Sequence, residues 1–152
     1  MSFSIAFQET PLFYPYDDRR TPAASGVLVL GDASAQFIAS LYQRSKEDYQ
    51  RQWRHAVEVL LHGKDKAALI TEYLGPECST HLVWWPMYLV GEKVFLHNHL
   101  LLYDQVLGPF SVKNAFSFLH NRRAASGEGE PLSEWSVGLS EMKAFERKAD
   151  LG

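Results

Sequence analysis

The sequence is poor in the features that mark secreted and membrane proteins. It has a single cysteine, Cys78, so it forms no internal disulfide and suits a reducing compartment. Its most apolar stretch, residues 82–90, contains Pro86 and is about half as long as a membrane helix of roughly twenty residues. Residues 1–7 lack a basic leader and an apolar run of signal-peptide length. We therefore expect a cytoplasmic protein without a membrane partner.

An excess of basic residues is also missing. The chain carries 15 Lys and Arg against 18 Asp and Glu, which gives a net charge of −3. Proteins that grip a phosphate backbone usually show a basic excess, so direct binding of nucleic acid is not expected. A mild negative charge instead favours encounter with a basic protein.

The remaining composition is that of an ordinary globular domain with many aromatic rings. Hydrophobic residues make up 46% and charged residues 22% of the 152 positions, which predicts one domain over residues 1–152. Aromatic residues reach 13%, more than a small core needs. Some rings are therefore expected at an interface.

Hydrophobic periodicity and turn residues predict an α+β fold, mainly an antiparallel sheet with an amphipathic helix packed on it. The predicted elements are strands over 4–9, 27–30, 67–74, 80–90, 94–102 and 133–139, and helices over 46–62, 110–119 and 141–148. Residues 36–42 fit either a strand or a helix, and we prefer a strand. Residues 121–131 are predicted to form a polar loop.

The helix over 46–62 has the clearest signals. Ser45 and Asp48 resemble a capping box, and Tyr49, Trp53 and Val57 recur at helical spacing on one face. This face is expected to pack on the sheet.

A hairpin is predicted where two apolar runs flank Gly91. The order Val90-Gly91-Glu92-Lys93 suits a type II′ turn. Pro86 cannot donate to a ladder and is expected at a bulge or an outward-facing edge. The adjacent Trp84 and Trp85 point to opposite faces of a strand, so both faces are expected to be covered.

One pattern suggests catalysis. His97 and His99 stand two apart on a predicted strand and share a face, as two ligands of a metal ion would. This leaves a small metal-dependent hydrolase as an alternative function. No Walker loop, G-x-S-x-G elbow or H-E-x-x-H helix is present, so we expect neither an enzyme nor a cofactor.

Acidic side chains are the main candidates for binding a basic partner. Glu128, Glu130 and Glu134 cluster around the predicted polar loop, and Asp17-Asp18 lie in a second loop. Such carboxylates can pair with the Arg and Lys of a nuclease. Glu72 interrupts an apolar strand and is the best candidate for a perturbed carboxylate; an exposed edge position is the competing interpretation.

Several strings together resemble immunity proteins of bacterial contact-dependent growth inhibition systems. They are Tyr49-Gln50-Arg51-Gln52-Trp53, Ala68-Leu69-Ile70-Thr71, the run from Trp84 to Leu101, Pro109-Phe110 and Ser133-Glu134-Trp135. The resemblance covers roughly residues 45–137, and the first forty residues add nothing to it.

The resemblance implies a protein that binds and neutralises the C-terminal toxin domain of a CdiA-type exoprotein, commonly a nuclease, by occluding its active site. Asn98, His99 and Glu134 are polar residues in apolar surroundings within the matched strings, and we include them among the expected partner-binding residues. A homo-oligomeric adaptor that uses exposed aromatic rings is a third possibility.

Overall fold

The structure is a computed structural model that describes residues 2–15, 20–106, 110–119 and 134–151. The α+β class is confirmed, but the strands form two antiparallel sheets. The elements are β1 (Phe3–Phe13), β2 (Pro22–Leu30), β3 (Ala33–Ser40), α1 (Lys46–Leu61), β4 (Lys66–Glu72), β5 (His81–Val90), β6 (Lys93–His97), β7 (His99–Leu102), 3₁₀ helices at Tyr103–Gln105 and Val112–Phe118, β8 (Glu134–Gly138) and α2 (Leu139–Leu151).

The N-terminal sheet, made of β1, β2 and β3 in that order, is a meander with one buried face. Ile5, Leu28 and Ala35 are cross-strand neighbours on the inner side, and Leu28 is fully buried. The strands are longer than the sequence predicts, because Ala23-Ala24-Ser25-Gly26 pairs on both sides despite its weak strand propensity.

The C-terminal sheet has the order β4-β5-β6-β8, with β7 also paired to β5. β6 and β7 pair with β5 in the same register, and a break at Asn98 separates the two strands. The break lies opposite Trp85 and Pro86 of β5. The expectation for Pro86 was wrong, because this residue is buried inside a central strand and not at an edge. Proline has no backbone N–H to donate to a neighbouring strand, and Pro86 lies where the break between β6 and β7 occurs.

The predicted hairpin joins β5 to β6. Gly91 has a φ of 62°, and Glu92 is not among the residues with positive φ. Positive φ at the first central position alone is the geometry of a type II′ turn.

Helix α1 begins with the predicted capping box. Asp48 N donates to Ser45 Oγ, and Ser45 N donates to the Asp48 carboxylate, each at 3.1 Å. The buried face contains Tyr49, Gln52 and Trp53.

Two side chains of this face close the free edge of β4 with three hydrogen bonds. Gln52 Nε2 donates to Ala68 O at 2.8 Å, and Gln52 Oε1 accepts from Ile70 N at 2.9 Å. Trp53 Nε1 donates to Ile70 O at 2.7 Å. The Gln52 amide thus takes the place of a neighbouring strand.

Tyr49 connects the two sheets. Its hydroxyl donates to Ser40 O at 2.7 Å and accepts from Tyr73 N at 3.0 Å, and burial raises its pKa. The string Tyr49-Gln50-Arg51-Gln52-Trp53 therefore contains three residues that bind backbone groups of neighbouring strands.

The C-terminal sheet is covered on both faces at its centre. Trp84 is 1% exposed and Trp85 is 3% exposed, although adjacent residues of a strand point in opposite directions. This confirms the expectation for the tryptophan pair. Both tryptophans belong to one continuous core that also includes Leu28 of the N-terminal sheet and Met142 of α2.

Candidate partner-binding surface

The structure describes half of the predicted partner-binding residues. Glu72, Asn98, His99 and Glu134 lie within the described ranges. The other predicted residues, Asp17, Asp18, Glu128 and Glu130, lie outside them.

Asn98 and His99 are exposed beside each other at the interruption between β6 and β7. Trp84 Nε1 donates to His99 Nδ1 at 3.3 Å, so the buried indole holds the exposed imidazole in place. Leu100, the next residue, is 48% exposed. We refer to Asn98, His99 and Leu100 as the β7 patch.

The β7 patch lies on a strand that pairs with another strand, β5, along one of its two edges. β7 pairs with β5, and β8 pairs with β6 only, so within the described ranges β7 has no strand on its other side. Edge strands are common sites of protein association. Within the described ranges, the β7 patch therefore presents its side chains at the edge of the sheet.

Glu134 begins β8 and is paired with His97 of β6. His97 Nε2 lies 2.8 Å from Glu134 Oε2, and the two side chains are 11% and 21% exposed. The His97 ring also lies 5.3 Å from the Tyr88 ring. Glu134 thus holds β8 to β6, and its half-buried carboxylate has an internal partner.

His97 and His99 share a face as predicted, because β6 and β7 keep one register to β5. Each ring, however, has its own hydrogen-bond partner. In the parts of the chain that the structure describes, no three His, Cys, Asp or Glu residues come together as metal ligands would. The hydrolase alternative therefore has no geometric support in these ranges.

Glu72 lies at the end of β4, just past an irregularity in the pairing with β5. Tyr14 Oη donates to its carboxylate, which ties the N-terminal sheet to the C-terminal one. Burial raises the pKa of Glu72, while the Tyr14 hydrogen bond and nearby His81 act in the opposite direction. The carboxylate is half-buried, which does not fit an exposed edge position and agrees with the perturbed-carboxylate interpretation.

Glu72 is on the same half of the C-terminal sheet as the β7 patch. Glu72 pairs with Val83, and Val83 pairs with Leu100, which separates Glu72 and Leu100 by two strand spacings of roughly 5 Å each. Cross-strand neighbours share a face of the sheet. The structure therefore brings Glu72, Asn98 and Leu100 to one side.

The sequence predicted that some aromatic rings are exposed but did not identify which large hydrophobic residues they are. Phe13 is 58% exposed, with the Arg20 guanidinium 5.7 Å from its ring centre, and Tyr42 is 60% exposed. Phe13 precedes Tyr14, the residue that reaches Glu72. For Leu100 a signal was available, because Leu100 and the buried Leu101 are adjacent on a strand and point in opposite directions.

No helix in the described part of the chain has the length and apolar character needed to cross a membrane.

Comparison with known families assigns the class of protein. The sequence model of the CdiI N-terminal domain family matches residues 39–145, which is well over half of the chain. The chain therefore belongs to the CdiI family.

Individual relatives agree with this assignment. The chain is 26% identical over 118 residues to the immunity protein CdiI of Enterobacter cloacae subsp. cloacae, covering 78% of this chain and 81% of that protein. A chain of the CdiA-CT/CdiI toxin and immunity complex from Enterobacter cloacae matches with a TM-score of 0.86 and 23% identity. This structural match covers 99% of both chains, so it includes the N-terminal sheet, most of which precedes residue 39.

Proposed function

We propose that the protein is a cytoplasmic immunity protein that binds and neutralises the C-terminal toxin domain of a cognate CdiA-type exoprotein. Its membership of the CdiI family is the observation that carries this proposal. The relative in Enterobacter cloacae is named an immunity protein, and the structural match belongs to a toxin and immunity complex. The chain acts by binding and catalyses no reaction of its own.

The mechanism is occlusion of a nuclease active site. A nuclease presents Arg and Lys side chains that grip phosphate, and carboxylates of an inhibitor can pair with the same groups. The net charge of −3 favours such an encounter. Glu72 and the four acidic residues at 17, 18, 128 and 130 are the proposed contacts for these cations. Glu134 also belongs to the proposed contacts, through a carboxylate that His97 already orients.

Apolar anchors next to these charges supply affinity. A nanomolar complex corresponds to about −12 kcal/mol, and a standard interface buries about 800 Å² on each partner. Binding energy usually concentrates in a few aromatic or aliphatic residues near the centre. Leu100, Phe13 and Tyr42 are exposed and suited to this role. Asn98 adds a hydrogen-bonding group on the same side of the sheet as Leu100, and His99 is a proposed contact on the opposite face.

Coexpression tests the function directly. The C-terminal domain of the cognate CdiA-type exoprotein is expressed with and without the protein. We expect growth to be restored and the two chains to copurify at equal stoichiometry, whereas an exoprotein domain from an unrelated system should still kill. Equal killing by the cognate domain in the presence and absence of the protein contradicts the proposal.

A matched pair of substitutions locates the interface. Leu100 and Val90 are both exposed apolar residues of the C-terminal sheet, at 48% and 51%, but only Leu100 lies in the β7 patch. We expect Leu100→Asp to weaken toxin binding about thirtyfold or more, which is the loss typical of a central anchor. Val90→Asp, beside the hairpin turn, should change the dissociation constant less than about twofold. Calorimetric titration measures both, and equal effects would remove the β7 patch from the interface.

A further inference from the structure

A cleft between α1 and α2 is a second feature that the proposed surface does not use. Its volume is about 320 Å³, at the lower end of the range for ligand pockets. It is lined by Arg51, Arg54, His55, Val57 and Glu58 of α1 and by Phe145 and Glu146 of α2.

The walls of the cleft are held by packing outside it. The Phe145 ring makes an edge-to-face contact with Phe3 of β1 at 5.3 Å, which fixes α2 against the N-terminal sheet. On the α1 side, the His55 ring stacks on Phe116 of the second 3₁₀ helix, with ring centres 5.9 Å apart and planes 8° from parallel. The cleft is therefore preformed.

Glu146 leaves one polar atom unsatisfied in this cleft. Its Oε2 atom is buried and has no hydrogen-bond partner among the described residues. Buried polar atoms in folded proteins are almost always hydrogen-bonded, and an unpaired one calls for an explanation. Since a carboxylate oxygen only accepts, the group that completes this site must be a donor.

The other charged groups of the cleft do not meet this need. Arg51 also lines the cleft, but its guanidinium pairs with Asp48 at 3.4 Å. Arg54 and Glu58 form no side-chain hydrogen bond or ion pair within the described ranges, so no internal cation is drawn to Glu146. Glu58 adds a second carboxylate on the α1 wall.

We infer that this cleft receives a lysine or arginine side chain of the toxin domain, with Glu146 as the buried acceptor and Glu58 as the exposed one. This inference rests on the proposed function, because a nuclease surface is rich in such side chains. The basic residue inserts between the two carboxylates, and its stem packs on the Phe145 ring. Arg54 lies in the same cleft, so the partner residue next to the inserted cation is expected to be acidic.

The test is a titration of the toxin domain with the full-length protein and with the variant Glu146→Gln, which keeps the side-chain shape and removes the charge. We expect the dissociation constant to rise about tenfold or more, mainly through faster dissociation, as when one partner of a buried charge pair is removed. Glu92→Gln, the same change at an exposed position of the β5–β6 turn, is the matched control and should stay within about twofold of the wild type.

Glu58→Gln keeps the inference falsifiable if Glu146→Gln disturbs the fold, because Glu58 is exposed; we expect it to weaken binding about threefold. Unchanged affinity in both variants, with tight binding by the wild type, overturns the cleft as a toxin site and leaves the proposed function standing. A wild-type protein that fails to bind its cognate toxin overturns both.

Discussion

The two sheets bury their side chains differently. The N-terminal sheet has one covered face, and its outer face carries side chains such as Ser4, Val29 and Ser34, which form one cross-strand row. The C-terminal sheet is covered on both faces at Trp84 and Trp85, and α1 closes its β4 edge. A sheet covered on both faces needs an apolar residue at nearly every position of its strands, whereas a sheet covered on one face needs one at every second position.

This difference explains where the family can be recognised. The family model starts at residue 39, after most of the N-terminal sheet, while the structural match extends over 99% of the chain. Alternation of apolar and polar residues is enough to specify three meandering strands. The fold of these strands can therefore be shared between proteins whose sequences differ in this region. The matched range includes α1 and the whole C-terminal sheet.

The largest expected effect comes from removing a core ring of the C-terminal sheet. Trp84→Ala should destabilise the protein by about 3–5 kcal/mol, because it deletes a large side chain that is 1% exposed. Leu28→Ala, the matched change in the N-terminal sheet, should cost about 2–5 kcal/mol. Since both residues belong to one continuous core, urea denaturation should show a single transition in each variant. Two separate transitions would show that the sheets unfold independently.

A smaller effect is expected at the closed edge of β4. Gln52→Leu removes both hydrogen bonds of the amide and leaves Ala68 O and Ile70 N without their partners. Each unsatisfied buried group costs about 1–3 kcal/mol, so we expect a total loss of about 2 kcal/mol or more. The control is Gln50→Leu, an exposed position of the same helix, which should change stability by less than about 0.5 kcal/mol. Equal losses in the two variants would mean that the Gln52 amide does not stabilise this edge.

The smallest effect is a dependence on pH at the contact between the sheets. Burial raises the folded-state pKa of Glu72, so the folded chain holds this proton more tightly than the unfolded chain. The contribution of Glu72 is therefore fully present below about pH 4.5 and is lost as the pH rises through the raised pKa. Glu72→Gln lacks this titration but keeps an acceptor for Tyr14.

The difference in the free energy of unfolding between wild type and Glu72→Gln, measured by urea denaturation from pH 4 to pH 7, isolates this titration. The wild type should become more stable relative to Glu72→Gln as the pH falls. A difference that is constant, or that changes in the opposite direction, contradicts the raised pKa.

The parts of the fold that local signals specify were predictable. Ser45 and Asp48 define the start of α1, and Gly91 defines the hairpin, because capping and turn geometry depend on neighbouring residues. The division into two sheets was not predictable, since it depends on contacts such as Tyr49 with Ser40 and Tyr73 that join distant segments. The same reason explains the wrong expectation for Pro86.

The candidate surface was predictable only in part. Asn98 and His99 were expected to bind the partner because they are polar residues in an apolar stretch, and both are exposed. The pairing of Glu134 with His97 depends on the register of β8 against β6, and the contact of Glu72 with Tyr14 joins two sheets. Neither can be read from spacing along the chain. The exposure of Phe13 and Tyr42 likewise depends on which face the rest of the fold leaves open.

Inhibition of the purified cognate toxin domain tests the central claim most directly. The toxin is held at a fixed concentration with cellular RNA or DNA as substrate, and this protein is added in increasing amounts. The account predicts that cleavage falls linearly and stops at one molecule of this protein for each toxin molecule. Undiminished cleavage at a large molar excess would contradict it.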